Sequence, residues 1–243
     1  ETRTRIQAIA QAHQFQINQP ARSLSMKQTN TIAFVTHGYH GNFCVEDLFL
    51  LEMMGAITGA LGARNYDLLM VNVDPYEIDW VNDYLNTGKV DGFVLMTSTR
   101  KQQHVKKLVE MKAPFIAWGI PTPGTNYCTV SGDNFNGARL AGEYLLNIGK
   151  QKIAFLGGPE TEQEVKLRYQ GFESAFNAVG LKPDPKRVVY ANYSSEAGHK
   201  GMHQLLDQNP DIDAVFANSD FIAIGAMNAI RERGKRVPED VSV

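Results

Sequence analysis

The chain has 243 residues, 43% of them hydrophobic and 21% charged, with a formal net charge of −2 at pH 7. That supplies apolar material for one large packed domain or two smaller ones and excludes the disordered and fibrous classes. Apolar runs such as Val90–Met96 stop well short of the roughly 18 residues of a membrane span, and no secretory leader pattern opens the sequence, so a cytoplasmic protein is expected. The two cysteines, Cys44 and Cys128, show no CxxC spacing and read as reduced thiols rather than a disulfide or a zinc site.

Charge is unevenly spread. Residues 1–30 carry Arg3, Arg5, Arg22 and Lys27 against Glu1 alone, while the remainder is net acidic. A short basic arm on a mildly acidic body suits a polyanionic partner. Within the arm, Ile6, Ile9, Ala10, His13 and Phe15 fall near helical spacing, with Arg3 and Arg5 free to face outward. Asn18 can cap a second, short helix, Gln19–Leu24, with Pro20 tolerated in its first turn. A helix this short does not hold itself together in water and needs a surface to fold on. Residues 25–31 are polar and read as a linker.

From residue 31 strands and helices alternate. Strands are predicted at Thr31–Thr36, Asp67–Val73, Asp91–Thr97, Pro114–Trp118 and Cys128–Ser131, with helices at Val45–Arg64, Tyr76–Thr87, Lys101–Met111 and Asn134–Ile148. A second set has strands at Lys152–Leu156, Arg187–Tyr190 and Asp213–Ala217, with helices at Glu162–Val179, Ser195–Gln208 and Asp220–Arg233. Val241–Val243 opens a further strand. The strand runs are continuous rather than alternating, as when helices cover both faces of a parallel sheet. The fold class is therefore α/β, with two doubly wound parallel-sheet subdomains behind a short basic helical segment. The expected division is 1–29 for the arm, 30–148 for the first subdomain and 149–243 for the second. Ligands of such sheets sit beyond the carboxyl ends of the strands.

Those ends carry Thr36-His37-Gly38, Arg100, Asp133, Gly157-Gly158-Pro159, Tyr193 and Asn218-Ser219-Asp220, with Arg168 further on. Carboxylate and amide acceptors, a guanidinium and flat rings suit the hydroxyls of a small neutral molecule. No GxGxxG, P-loop or GxSxG pattern is present, and His37 and His40 lack the companions of a metal site, so no enzyme, cofactor or metal is expected. Asp133 and Asp220 each stand where a helix begins and could serve as N-caps.

Seven segments in order carry a resemblance to the lactose-repressor/galactose-repressor (LacI/GalR) family of bacterial transcription regulators. They are Thr2-Arg-Thr-Arg-Ile6, Asn18–Leu24, Asp133–Ala138, Ile148–Pro159, Arg168–Phe172, Asp220–Ala226 and Val237–Val243. The resemblance implies a periplasmic-binding-protein-like core, a small-molecule effector (a sugar) in the cleft between two subdomains, and a homodimer that grips operator DNA. It implies that Arg3, Arg5 and Arg22 meet DNA, and that Leu24 on the short helix wedges into the minor groove. It implies that Asp133 and Arg168 hold effector hydroxyls, that Tyr193 stacks on the ligand, and that Ser219, Asp220, Phe43 and Arg100 line the site. Ser219 stands where many members have asparagine, with Asn218 one step earlier. The chain is expected to be a fragment that begins inside the last helix of a helix-turn-helix domain and stops before the end of the core. The alternative is a periplasmic sugar-binding protein serving a transporter, which shares the fold.

Overall fold

The computed structural model describes residues 2–15, 19–26, 28–36, 48–74, 77, 79–96, 102–121 and 124–243. Two compact units emerge, Glu1–Thr129 and Val130–Val243. The first contains α1 (Thr2–Ala12), α2 (Gln19–Met26), β1 (Thr31–Thr36), α3 (Leu48–Gly62), β2 (Asp67–Asn72), α4 (Trp80–Leu85), β3 (Gly92–Met96), α5 (Gln102–Glu110), β4 (Phe115–Trp118) and all but the last residue of β5 (Cys128–Val130). The second contains α6 (Asn134–Asn147), β6 (Ile153–Gly157), α7 (Gln163–Ala178), β7 (Val188–Tyr190), α8 (Ser195–Gln208), β8 (Ala214–Ala217) and α9 (Asp220–Glu232).

The first sheet has the order β2-β1-β3-β4-β5, and β1 pairs in parallel with β2 and β3, as β3 does with β4. Its core joins Ala33, Val35, Val71, Phe93, Leu95 and Ala117 to Trp80 and Val81 of α4 and Leu108 of α5. The buried Trp80 indole N–H donates to Nδ1 of the equally buried His104 at 3.0 Å. That bond removes the cost of burying an unpaired donor. Helix α1 buries none of its residues, and Ile6 and Ile9 on it are exposed. Between α2 and β1 the chain is tied down by Asp91. Its carboxylate accepts the Thr29 N–H at 2.8 Å, the Thr29 hydroxyl at 2.9 Å and the Asn30 N–H at 2.8 Å.

The second sheet has the order β7-β6-β8, all parallel. Every residue of β6 is buried, and the two-residue period of a strand sends alternate side chains to opposite faces. Ile153 and Phe155 join Leu145 of α6 with Phe172 and Phe176 of α7, whereas Ala154 and Leu156 join Met202 and Leu205 of α8 with Ile222 and Ile230 of α9. The helices of each pair touch backbone to backbone. A Cβ on Gly171 of α7 would lie 2.0 Å from the Phe135 carbonyl oxygen, and one on Gly225 of α9 2.0 Å from that of Ser195.

Two expectations need correction. The division falls at Thr129/Val130 rather than after Ile148, because α6 packs along α7 instead of closing the first unit. The strand expected at Val241–Val243 is a single bridge from Ser242 to Ala214.

Candidate functional site

At the start of α6, Asp133 is the N-cap: one carboxylate oxygen accepts the Asn136 backbone N–H at 3.1 Å and the other the Asn136 amide at 2.7 Å. The Asn136 side-chain amide, then its backbone N–H, and the more distant Arg139 guanidinium hold the Asp133 carboxyl below the ordinary carboxylate range. Asp133 is therefore an anion with lone pairs to spare, since each carboxylate oxygen can accept two hydrogen bonds.

Arg168 projects from α7. Its Nε donates to Oδ1 of Asn134 at 2.8 Å and its Nη1 to the Asn218 carbonyl at 2.5 Å. Among the described residues it forms no ion pair, which sets it apart from an ordinary surface arginine. The two bonds orient the guanidinium and leave Nη2 uncommitted among the described residues.

Asn218 follows β8. It is 4% exposed, yet neither its Oδ1 nor its Nδ2 has a hydrogen-bond partner among the described residues. Buried amides without partners are uncommon, and each calls for a reason. Asp133, Asn134, Arg168 and Asn218, with Gly132, Gly137, Ala138 and Phe216, line one cavity of about 260 Å³. This is just under the smallest sites typical of drug-sized ligands, about 300 Å³. The lining offers a carboxylate acceptor, a guanidinium donor and an amide that does both, beside one aromatic edge. Such a set matches vicinal hydroxyls.

Of the residues expected from sequence, the cavity brings together Asp133 and Arg168. Tyr193 lies outside its lining, and its ring sits over Gly158, where a Cβ would come within 2.4 Å of it. Ser219 is the N-cap of α9, its hydroxyl accepting the Ile222 N–H at 3.4 Å, and Asp220 is the first helical residue rather than the cap. Phe43 and Arg100 lie outside the described residues, as do His37, His40 and Cys44. Arg3 and Arg5 lie exposed on α1, and Arg22 exposed on α2, where its Nε meets the Met26 sulfur at 3.4 Å. Leu24 is within α2, its side chain outside what is described. Sequence reasoning saw Asn218 at a strand end but assigned Ser219 and Asp220 to the site in its place, and it gave Asn134 no role. The one signal for Asn218 was its place immediately after a strand, one residue ahead of the Ser-Asp helix start.

A parallel α/β unit with a polar cavity beyond its strands defines a small-molecule binding domain of the periplasmic-binding-protein type. Residues 43–243 match the family described as periplasmic binding proteins and sugar binding domain of LacI family. The chain belongs to the LacI family. It is similar to the HTH-type transcriptional regulator CelR of Thermobifida fusca, with 32% identity over 93% of this chain and 67% of the relative. It is also similar to the HTH-type transcriptional repressor PurR of Pasteurella multocida (strain Pm70), with 29% identity over 92% of this chain and 66% of the relative. Among solved structures it resembles a CelR–cellobiose complex, with a TM-score of 0.78 and 30% identity over 89% of this chain and 67% of that one. A LacI-family regulatory protein from Chloroflexus aggregans gives a TM-score of 0.78 and 29% identity over 88% of this chain and 76% of that one. The chain thus spans about two thirds of the length of the curated relatives it matches. Those relatives are transcriptional regulators rather than enzymes, and no helix among the described residues is long and apolar enough to cross a membrane.

Proposed function

We propose that this chain is the effector-sensing part of a DNA-binding transcriptional regulator, and that a small polyhydroxylated molecule occupying the Asp133–Arg168–Asn218 cavity controls operator affinity. The observation that carries this reading is the buried Asn218 amide left without partners beside an oriented guanidinium and an ionised carboxylate. Asn218 lines the cavity, and a turn of its closed-off side chain lets a ligand hydroxyl donate to Oδ1 or accept from Nδ2, which relieves the burial cost. The solved relative that holds cellobiose supports a sugar, and makes cellobiose the first compound to try.

The remaining parts of the reading concern the first unit. Arg3, Arg5 and Arg22 supply charge for phosphates, and α2 is a helix of eight residues, short enough to depend on an outside surface. Effector binding shifts the population in which α2 is formed, and only a difference in effector affinity between the two states can do so. Self-association is supported by α3, apolar on nearly every side, which together with β2 exposes Phe49, Leu51, Leu69 and Met70.

Calorimetric titration of cellobiose, other neutral disaccharides and monosaccharides into the wild type and Arg168→Ala tests the site. Saturable binding that weakens in the variant supports it. Sugar affinity unchanged by Arg168→Ala removes the cavity from the account.

A further inference from the structure

On the surface of the second unit, away from the cavity residues in sequence, α8 carries His199 and His203. Their four-residue spacing places both on one helix face. Glu232, at the end of α9, reaches across to both. Nε2 of His199 is 2.8 Å and Nε2 of His203 2.9 Å from the same Oε2 of Glu232. The ligand-capable atoms of the three residues lie within 4.8 Å of one another. All three retain solvent access, at 33%, 25% and 58% of their side-chain surface.

We propose that His199, His203 and Glu232 form a binding site for a borderline divalent transition-metal ion, with Zn²⁺ as its representative, that clamps α8 to α9. Two imidazoles and one carboxylate are a donor set that Zn²⁺ accepts, the fourth position being left to water. At zinc–ligand bond lengths of about 2.0–2.1 Å, neighbouring ligand atoms of a tetrahedron stand about 3.3 Å apart. The two histidine–glutamate separations need to open by only a few tenths of an ångström, and the two rings to turn toward each other. The hydrogen bonds from His203 and then His199 hold the Glu232 carboxyl below the ordinary glutamate range, so the carboxylate is already charged.

Arg233 opposes the metal. Its Nε donates to Nδ1 of His203 at 3.1 Å while a terminal nitrogen pairs with Asp207. A His203 that accepts at Nδ1 carries its proton on Nε2, whereas metal binding through Nε2 needs that proton on Nδ1. Uptake therefore requires Arg233 to release His203, and Asp207 gives it a place to stay. The arginine sets the affinity without being a ligand, a feature that separates this site from a chance pair of surface histidines.

Zn²⁺ alone is the probe, titrated into the full chain against a chromogenic chelator and followed by thermal unfolding. The wild type is expected to take up one ion with a rise in Tm that His199→Ala, His203→Ala and Glu232→Gln each abolish. Arg233→Ala should bind Zn²⁺ at least about tenfold more tightly, since it frees the imidazole tautomer. Co²⁺ in place of Zn²⁺ should give the intense visible bands of a four-coordinate ion, lost in Glu232→Gln. Cys128→Ser should retain the effect. Absence of Zn²⁺ uptake in both the wild type and Arg233→Ala, or uptake untouched by loss of either histidine, would overturn the proposal.

Discussion

Asp91 and Asp213 do the same work in the two units. Each carboxylate reaches back to the residues that lead into the first strand of its unit and accepts two successive backbone N–H groups: Thr29 and Asn30 for Asp91, at 2.8 and 2.8 Å, and Gln151 and Lys152 for Asp213, at 2.9 and 3.0 Å. The sequence separations are 62 and 61 in both cases. Both aspartates stand just before or at the strand that pairs beside β1 or β6. The shared device marks the two units as variations on one plan.

Asp91→Ala should lower the stability of the first unit by about 1–3 kcal/mol, because hydrogen bonds to charged acceptors are worth that much and the two N–H groups then rely on water. Asp213→Ala should do the same to the second. Urea unfolding of each variant, with hydrogen exchange to localise the loss, checks this. A loss spread equally over both units in either variant would contradict it.

Asn218→Leu should separate stability from binding. Removing a buried amide that has no partner among the described residues, while keeping the number and branching of heavy atoms, leaves the urea midpoint unchanged or raised. Sugar affinity should fall about tenfold or more, as one well-placed buried hydrogen bond is worth about 1.5 kcal/mol. Calorimetry and unfolding on the same preparation read both effects.

Gly171→Ala and Gly225→Ala place a methyl 2.0 Å from a carbonyl oxygen of the neighbouring helix. Neither α6–α7 nor α8–α9 can absorb that without sliding apart. Each variant should lose about 1–3 kcal/mol or more, and Gly171→Ala should also weaken ligand binding by shifting α7 beneath Arg168. Thermal melts with sugar titration distinguish the two.

Acid should destabilise the second unit in a defined window. Asp240 accepts from the Arg236 N–H at 2.7 Å and from the guanidinium at 3.0 and 2.9 Å, and its carboxyl is pulled down to about 2. Hydrogen bonds from Asn136 lower that of Asp133 and one from Lys152 that of Asp211. A carboxyl whose folded value lies below its unfolded value, about 3.9 for aspartate, contributes stability that is fully present above the unfolded value. That contribution disappears as pH falls through the folded one. Tm should therefore drop between about pH 4 and 2, and Asp240→Asn should make the slope shallower.

Much of the architecture was legible because burial on both faces leaves continuous apolar runs. Thr31–Thr36 and Ser195–Gln208 have the predicted limits, and most other elements differ by a residue or two at an end. The misplaced division has a physical cause. Asn134–Asn147 looks like any helix that follows a strand, and its partner is set by a distant glycine, Gly171, whose missing side chain admits the α6 backbone. Asp133 was legible as a polar residue at a strand end, and Arg168, inside α7, through the family resemblance. Asn218 was not, since an asparagine ahead of Ser219-Asp220 reads like part of the helix start, and only burial without a partner reveals the difference. The His199–His203–Glu232 cluster was also hidden, because α9 supplies the third member from across the helix pair.

Asp133, which lines the cavity, initiates α6, and Ser219, next in sequence to the cavity residue Asn218, initiates α9, so both are structural fasteners at or beside the ligand region. Substituting either to suit a different guest would loosen the start of a helix that walls the second core. Arg168 and Asn218 carry no such double duty. Descendants of this protein that switch ligands should accumulate their changes at those two positions first, while the fasteners stay constant.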